Sequence, residues 1–265
     1  MEDLRITIIQ SSLDWEDIDA NLKSFDSKIS SIPIGSTDLI VLPEMFNTGF
    51  TMNASKFYDN MMGRTLQWML NKAHEMNCVI TGSLIVQDDD DDGIYYNRLI
   101  WMKPNNSCET YDKRHLFRMS DEHTNYTKGT ERLIVELKGW KICPLICYDL
   151  RFPVWCRNRN DYDLLIFVAN WPQKRVYAWK QLLIARAIEN ISYVIGVNRI
   201  GDDGNGFYHS GESTVLDYLG ADLLSKENSS SSNEFIETIT LSHAKLESFR
   251  DSFPAAMDAD DFIIK

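Results

Sequence analysis

No stretch of eighteen consecutive apolar residues occurs in this chain, which argues against a membrane-spanning helix. Positive charge is in deficit: 27 Lys and Arg stand against 39 Asp and Glu, a net charge of −12. A surface of that sign repels phosphate backbones and anionic lipid, so neither a nucleic acid nor a membrane is expected as a partner. Cysteine is scarce and odd in number. Cys78, Cys108, Cys143, Cys147 and Cys156 are too few to staple so long a chain, and most are expected to be reduced, buried and inert. The acidic start, Met1 to Ile9, has too short an apolar run for a signal peptide, and the expected compartment is cytoplasmic. Internal repeats and proline-rich linkers are missing. Only residues 225–233, with serine from Ser229 to Ser232, are of low complexity, and they read as a loop between two late strands.

Metal-ligand spacing is lacking too. None of His74, His115, His123, His209 and His243 sits in a paired helical motif, and Cys143 and Cys147 lie four apart on a strand-like segment. Asp88 to Asp92 followed by Gly93 matches the start of a calcium loop, but the twelfth position is Leu99. Without the bidentate glutamate that closes such a site, the acidic run reads as a solvated turn. His115 and His123 near Glu122 stay open as a spatial ligand cluster, beside the plainer reading of structural histidines.

What is present is a core. With 44% apolar and 25% charged residues, 265 residues can bury roughly 73% of their unfolded surface, which suits one large domain over residues 1–265. Short β-branched runs mark strands at Ile6–Gln10, Asp38–Leu42, Cys78–Val86, Tyr95–Lys103, Glu109–Lys113, Trp140–Ile146, Asp163–Val168, Tyr193–Arg199, Ser213–Asp217 and Glu234–Thr240. Amphipathic stretches mark helices at Asp17–Ser31, Arg64–Met76, Pro153–Arg159, Val176–Asn190 and Ser242–Arg250. This alternation predicts an α/β fold. Ile94–Met102 follows Thr81–Val86 across the acidic turn as an antiparallel hairpin, so the sheet should be mixed.

Three strand ends can carry chemistry. Leu145 to Pro153 places Cys147 at a strand-to-helix corner, where backbone N–H groups can face an oxyanion and a helix dipole favours a thiolate. Asp38 to Glu44 is a buried strand delivering the Glu44 carboxylate, and Tyr111 to His115 offers Lys113. In α/β folds ligands gather outside the carboxyl ends of strands, where the three could meet. Taken singly, each has a plain alternative: Glu44 a loop cap, Lys113 a solvated lysine, Cys147 a core residue.

Three segments, Leu42-Pro43-Glu44-Met45-Phe46, Tyr111-Asp112-Lys113-Arg114-His115-Leu116-Phe117 and Cys147-Tyr148-Asp149-Leu150-Arg151-Phe152-Pro153, resemble in order and spacing the motifs of the nitrilase superfamily of carbon-nitrogen hydrolases. The resemblance extends through Asp121-Glu122-His123, Ala169-Asn170-Trp171-Pro172, Ala185-Arg186-Ala187-Ile188-Glu189-Asn190 and Val197-Asn198-Arg199-Ile200-Gly201, covering about Arg5 to Phe249. The nearest branch is similar to the omega-amidases, which hydrolyse the terminal amide of short 2-oxo dicarboxylic acid monoamides. The tail from Pro254 to Lys265 and the five-aspartate turn lie outside the pattern.

The resemblance implies a four-layer α-β-β-α sandwich with two mixed sheets face to face. It also implies a homodimer or higher even-numbered homo-oligomer, paired through Pro153–Arg159 and Val176–Asn190. It makes Glu44, Lys113 and Cys147 the catalytic triad, acting on a small-molecule amide through a cysteine thioester. Lys113 and the N–H of Tyr148 would hold the oxyanion, and Glu122 would orient the water. No metal or organic cofactor is implied. Tyr148, Arg151 and Trp171 are the expected substrate-binding residues; a substrate carboxylate would find its cation among Arg151, Lys174, Arg175 and Arg199, with Trp171 and Phe46 as apolar walls. Alternatives are another amide or a nitrile on the same triad, a non-catalytic scaffold, or a redox thiol pairing Cys147 with Cys143, which the extended segment between them disfavours.

Overall fold

Leu39, Ile40 and Val41 are all fully buried, yet they belong to two different cores. Leu39 and Val41 share a cluster with Ile142 and Ile166, whereas Ile40 packs with Phe25, Ile29, Met69 and Ala73. The period of two in an extended chain thus sends alternate side chains to opposite faces, and both faces are covered.

A computed structural model describes residues 2–88 and 93–264. In chain order the elements are β1 (Leu4–Gln10), α1 (Ile18–Ser30), β2 (Leu39–Val41), α2 (Ala54–Phe57), α3 (Arg64–Met76), β3 (Val79–Val86), β4 (Tyr96–Met102) and β5 (Cys108–Asp112). There follow α4 (Glu122–Asn125), β6 (Val135–Leu137), β7 (Trp140–Ile146), α5 (Pro153–Cys156), β8 (Leu164–Ala169), α6 (Val176–Asn190) and β9 (Tyr193–Asn198). The chain closes with β10 (Ile200–Asp202), β11 (Tyr208–Ser210), β12 (Thr214–Leu216), β13 (Phe235–Leu241) and α7 (His243–Ser252).

One sheet runs β13-β1-β2-β3-β4-β5 and the other β12-β9-β8-β7-β6, with β10 and β11 as a separate pair. Each large sheet has parallel strands at its centre (β1-β2-β3 and β7-β8-β9) and antiparallel strands at its edges, so both are mixed. They stack through β1 on β9 and β4 on β7. Helices α1 and α3 cover the outer face of the first sheet; each apolar side chain they bury there, such as Phe25 or Met69, contributes roughly 1.5–3 kcal/mol. Helix α6 covers the second sheet, and it approaches closely because Gly196 has no side chain: a Cβ there would lie 2.6 Å from Leu183 Cδ1. The result is the α-β-β-α sandwich.

Every expected strand forms, and α3 and α6 match their expected bounds. Helix α5 is shorter than Pro153–Arg159: Arg132 Nη1 draws the Arg157 carbonyl at 2.8 Å, and Asn158 is held by Tyr162 and Asn190, so the chain leaves the helix after Cys156. Unforeseen are β6, joined to β7 through Lys138 and Gly139 at positive φ, and the β10–β11 hairpin. Residues 225–233 lie between β12 and β13, as expected. Of the acidic turn, Asp88 pairs with Arg98, while Asp89 to Asp92 lie outside the described residues. No helix among the described residues is long and apolar enough to cross a membrane.

Candidate active site

The carboxyl ends of the central strands of both sheets meet at one place. Glu44 follows β2, Cys147 follows β7 and Asn170 follows β8; Lys113 follows the edge strand β5, and Glu122 opens α4. The Lys113 N–H donates to Asn97 O at 3.0 Å, carrying the β4–β5 ladder one residue onward and fixing where the lysine departs. Cys147 begins a single 3₁₀ turn, Cys147–Arg151, with φ of +44°, a left-handed conformation costing roughly 1–3 kcal/mol in a non-glycine residue.

The side chains converge on Lys113. Its Nζ donates to Glu44 Oε1 at 2.8 Å and to Glu122 Oε1 and Oε2 at 2.9 and 3.0 Å, and all three side chains are wholly buried. Asn97 Nδ2 donates to the same two carboxylates, at 2.8 and 3.1 Å. Glu44 Oε2 accepts the Asn170 N–H at 2.9 Å, and Asn170 Nδ2 donates to the Glu44 carbonyl at 2.5 Å. The remaining donor on Glu122 is the Phe117 N–H at 2.5 Å. Each carboxylate oxygen therefore has a donor, which a buried charge requires.

Electrostatics follows from this packing. Burial alone would lower the Lys113 pKa, but Glu122 and Glu44 outweigh it and raise it, so the ammonium stays charged. Burial raises Glu122, with Lys113 opposing and Glu44 adding to the rise. Burial and the nearby Glu44 push Cys147 well above an ordinary thiol despite Lys113. Burial thus works against a Cys147 thiolate, and the expected helix dipole gives little help: the turn after Cys147 is one 3₁₀ turn and α5 spans only Pro153–Cys156, too short for an appreciable macrodipole.

Above Cys147 and Lys113 lies a cavity of about 130 Å³. Phe50, Phe117, Tyr148, Trp171 and Phe207 make aromatic walls, and Arg151, Lys174 and Arg175 bring positive charge. Arg151 lies 4.9 Å over the Trp171 ring, Arg175 4.9 Å over Phe117 and Lys174 3.9 Å over Phe207, so each cation is held by an aromatic face. None of the three has a carboxylate partner among the described residues.

Residues 5–246 match the family model for carbon-nitrogen hydrolases. The chain belongs to the carbon-nitrogen hydrolase family. It is 45% identical over 262 residues to omega-amidase YafV of Escherichia coli (strain K12), covering 99% of each chain. It is 37% identical over 188 residues to the 2-oxoglutaramate amidase of Bacillus subtilis (strain 168), covering 69% of this chain and 71% of that one. Its fold superposes with a TM-score of 0.94, at 43% identity and full coverage of both chains, on a CN-hydrolase superfamily protein of Xanthomonas campestris whose crystal structure carries an arsenic adduct in the active site.

Several expected site residues of this carbon-nitrogen hydrolase stand at the cavity: Cys147, Lys113, Tyr148, Arg151, Trp171, Lys174 and Arg175. Trp171 is pinned by Asn198, which accepts its N–H at 2.7 Å and donates to its carbonyl at 2.9 Å. Glu44 and Glu122 both lie behind the cavity lining, and the oxygens of Glu122 accept from Lys113, Asn97 and Phe117, so it holds the ammonium in the resting site. Two expectations need correction. Arg199 is buried away from the cavity and donates to the carbonyls of Leu13, Ile200 and Asp202. Phe46 sits in the outer core, edge-on to Phe25, and Phe50 takes the wall position.

The histidine cluster does not form. His115 donates to Asp149 and stacks at 3.7 Å on Phe152. Cys143 and Cys147 are both free and buried. The residues missed by sequence reasoning include Asn97, the amide bridging both carboxylates, and, in the cavity wall, Phe50 and the hairpin residues Asp203, Asn205, Phe207 and His209. The signal for Asn97 was slight, an amide beside Arg98 at the head of a strand whose remainder is apolar.

Proposed function

We propose that this hydrolase cleaves the terminal amide of short 2-oxo dicarboxylic acid monoamides, 2-oxoglutaramate and 2-oxosuccinamate, to the acid and ammonia. The observation that carries the reading is a buried Cys-Lys-Glu floor beneath a small cavity whose three cations lack carboxylate partners among the described residues. An amide at the floor and a carboxylate at the wall describe a dicarboxylic acid monoamide. The names of the relatives quoted above agree with that class.

In the reaction Glu44 takes the Cys147 proton as the sulfur attacks the amide carbon. The C=O electron pair moves to oxygen, where the Lys113 ammonium and the Tyr148 N–H hold the negative charge. The intermediate collapses to a thioester as protonated Glu44 gives its proton to the departing nitrogen, releasing ammonia. Water then loses a proton to Glu44 and attacks the thioester through the same oxyanion site. Collapse frees the carboxylic acid and returns the proton to Cys147. Glu122 and Asn97 keep Lys113 and Glu44 aligned throughout.

Supporting features extend to the assembly. Val154, Tyr177 and Ile188 are 56, 77 and 51% exposed on α5 and α6, which suits pairing of two copies along these helices beside the nucleophile's turn. The negative net charge disfavours a nucleic-acid or membrane partner; on this reading residues 1–265 act as one cytoplasmic domain whose chemistry calls for no metal or organic cofactor.

Ammonia release from 2-oxoglutaramate and 2-oxosuccinamate, measured with wild type beside Cys147→Ala at neutral pH, tests the reading. Release that depends on Cys147 is expected. No release from either compound, with turnover of a nitrile or neutral amide instead, would replace the substrate and keep the triad.

A further inference from the structure

Cys147 and Lys113 come from different sheets, 34 positions apart in the chain, and no direct bond ties one to the other in the resting site. Something else must set their separation, because a thiolate and an oxyanion ligand act on one carbonyl group only when both are in place. Glu44, the reacting base, bonds the Lys113 ammonium at 2.8 Å and also reaches the Cys147 thiol; a second buried side chain, outside the reacting groups, grips the backbone of both segments.

Asp149 is fully buried, two residues after the nucleophile. Its Oδ2 accepts the Ile146 N–H at 3.1 Å and the Tyr111 Oη–H at 2.7 Å; its Oδ1 accepts the His115 N–H at 3.0 Å and the His115 Nδ1–H at 2.8 Å. Ile146 and Asp149 bracket Cys147. Tyr111 and His115 bracket Lys113, two residues to either side. One carboxylate thus spans the turn that carries the sulfur and the turn that carries the ammonium. The grip is itself braced: Tyr111 Oη also accepts the Trp155 Nε1–H at 3.0 Å and the Arg114 N–H at 3.2 Å.

The Ile146 bond has a second consequence. It closes the short loop around Cys147, whose φ of +44° must be held against the preference of an L residue for negative φ. Four donors on one buried carboxylate make a charge-assisted network in a low-dielectric interior, where each bond is stronger and stiffer than at a surface.

We propose that Asp149 is a positioning residue that fixes the Cys147 sulfur relative to the Lys113 ammonium by clamping the two turns together. This rests on Cys147 acting as nucleophile and Lys113 as oxyanion ligand. It does not depend on which amide is cleaved.

The test compares wild type with Asp149→Asn and Tyr111→Phe. The first change puts an NH₂ group where two donors already point, so the clamp opens; Tyr111→Phe keeps the ring and removes only one bond to the carboxylate. Turnover of 2-oxosuccinamate is expected to fall about 100-fold in kcat for Asp149→Asn, with KM changed less than about threefold. Tyr111→Phe is expected to lose about tenfold in kcat. Values are normalised to the active sites counted by stoichiometric iodoacetamide labelling of Cys147. A loss of kcat that vanishes on this normalisation, a loss expressed in KM, or kcat within threefold of wild type for either folded variant would overturn the proposal. If Asp149→Asn does not fold, Tyr111→Phe decides. The rate of Cys147 alkylation at a fixed pH of about 9 supplies a readout without substrate. It should fall in both variants as Lys113 moves off the sulfur, and an unchanged rate would count against the clamp even if wild type cleaved neither monoamide.

Discussion

The floor and the wall of the cavity are built on opposite principles. On the floor Glu44, Lys113 and Glu122 are wholly buried and their charges are met by donors and acceptors within 3.1 Å. On the wall Arg151, Lys174 and Arg175 rest on aromatic rings with no acid paired to them among the described residues. A network in which every charged group is paired is stiff and resists change, because removing a charged member strands its buried counter-charge. An unpaired cation on a ring is poised to take a ligand. On the proposed function the floor sets the reaction and the wall sets what reacts, and substitutions in the two regions should fail differently.

The largest effect belongs to Cys147→Ala, which should abolish ammonia release while leaving the melting temperature near that of wild type, as followed by circular dichroism. Lys113→Met should lower kcat by roughly 10²–10³-fold, the cost of one oxyanion donor, and should also destabilise by leaving Glu44 and Glu122 unneutralised; kinetics and thermal melts on the same preparation check both. On the wall, Arg175→Ala or Arg151→Ala should raise KM roughly 10- to 100-fold for a carboxylate-bearing amide, and far less for a neutral amide of similar length. If kcat fell instead, with KM unchanged, the division between floor and wall would be wrong. Lys174→Ala, whose ammonium lies over Phe207 at the rim, should change KM only about two- to fivefold.

The smallest effect concerns His209, a wall residue whose pKa burial and Arg199 push down to about 4. Between about 4 and the unfolded value near 6.5 the unfolded chain binds the extra proton, so stability is complete above about 6.5 and falls as the pH drops through that window. Urea denaturation at pH 7 and pH 5 should show the loss, and His209→Gln should reduce it. Activity near neutral pH should not follow this titration, since the ring is neutral there.

Much of this molecule is legible in one dimension. Helix α3 matches its expected bounds because apolar Leu66, Met69, Ala73 and Met76 repeat at helical spacing, and Asn77 ends it at φ +49°. Glu44 and Cys147 are visible because each follows an apolar strand, whereas Lys113 follows the polar strand β5 and stands out only through the segment Tyr111 to Phe117. The β10–β11 hairpin is not visible: Gly201, Gly204 and Gly206 dilute its pattern, and its tip is held from outside, with Gly204 against Trp15. Arg199 and Phe46 are expected at the cavity only because their neighbours in sequence belong there. Yet adjacent positions point to opposite sides of an extended chain, and Met45 at φ +43° turns the segment after Glu44.

The strand and helix inventory, the mixed character of the sheets and the kinds of side chain available for the chemistry all follow from the sequence alone. They depend on spacing and composition over a few residues. Three-dimensional packing was needed to decide that Glu44 meets Lys113 across 69 positions and Asn170 across 126, that Glu122 holds the ammonium, and that burial raises the Cys147 pKa. The physical reason is that charge state and hydrogen bonding are set by distance and burial in space, and the two sheets bring together groups whose separation along the chain carries no trace of that distance.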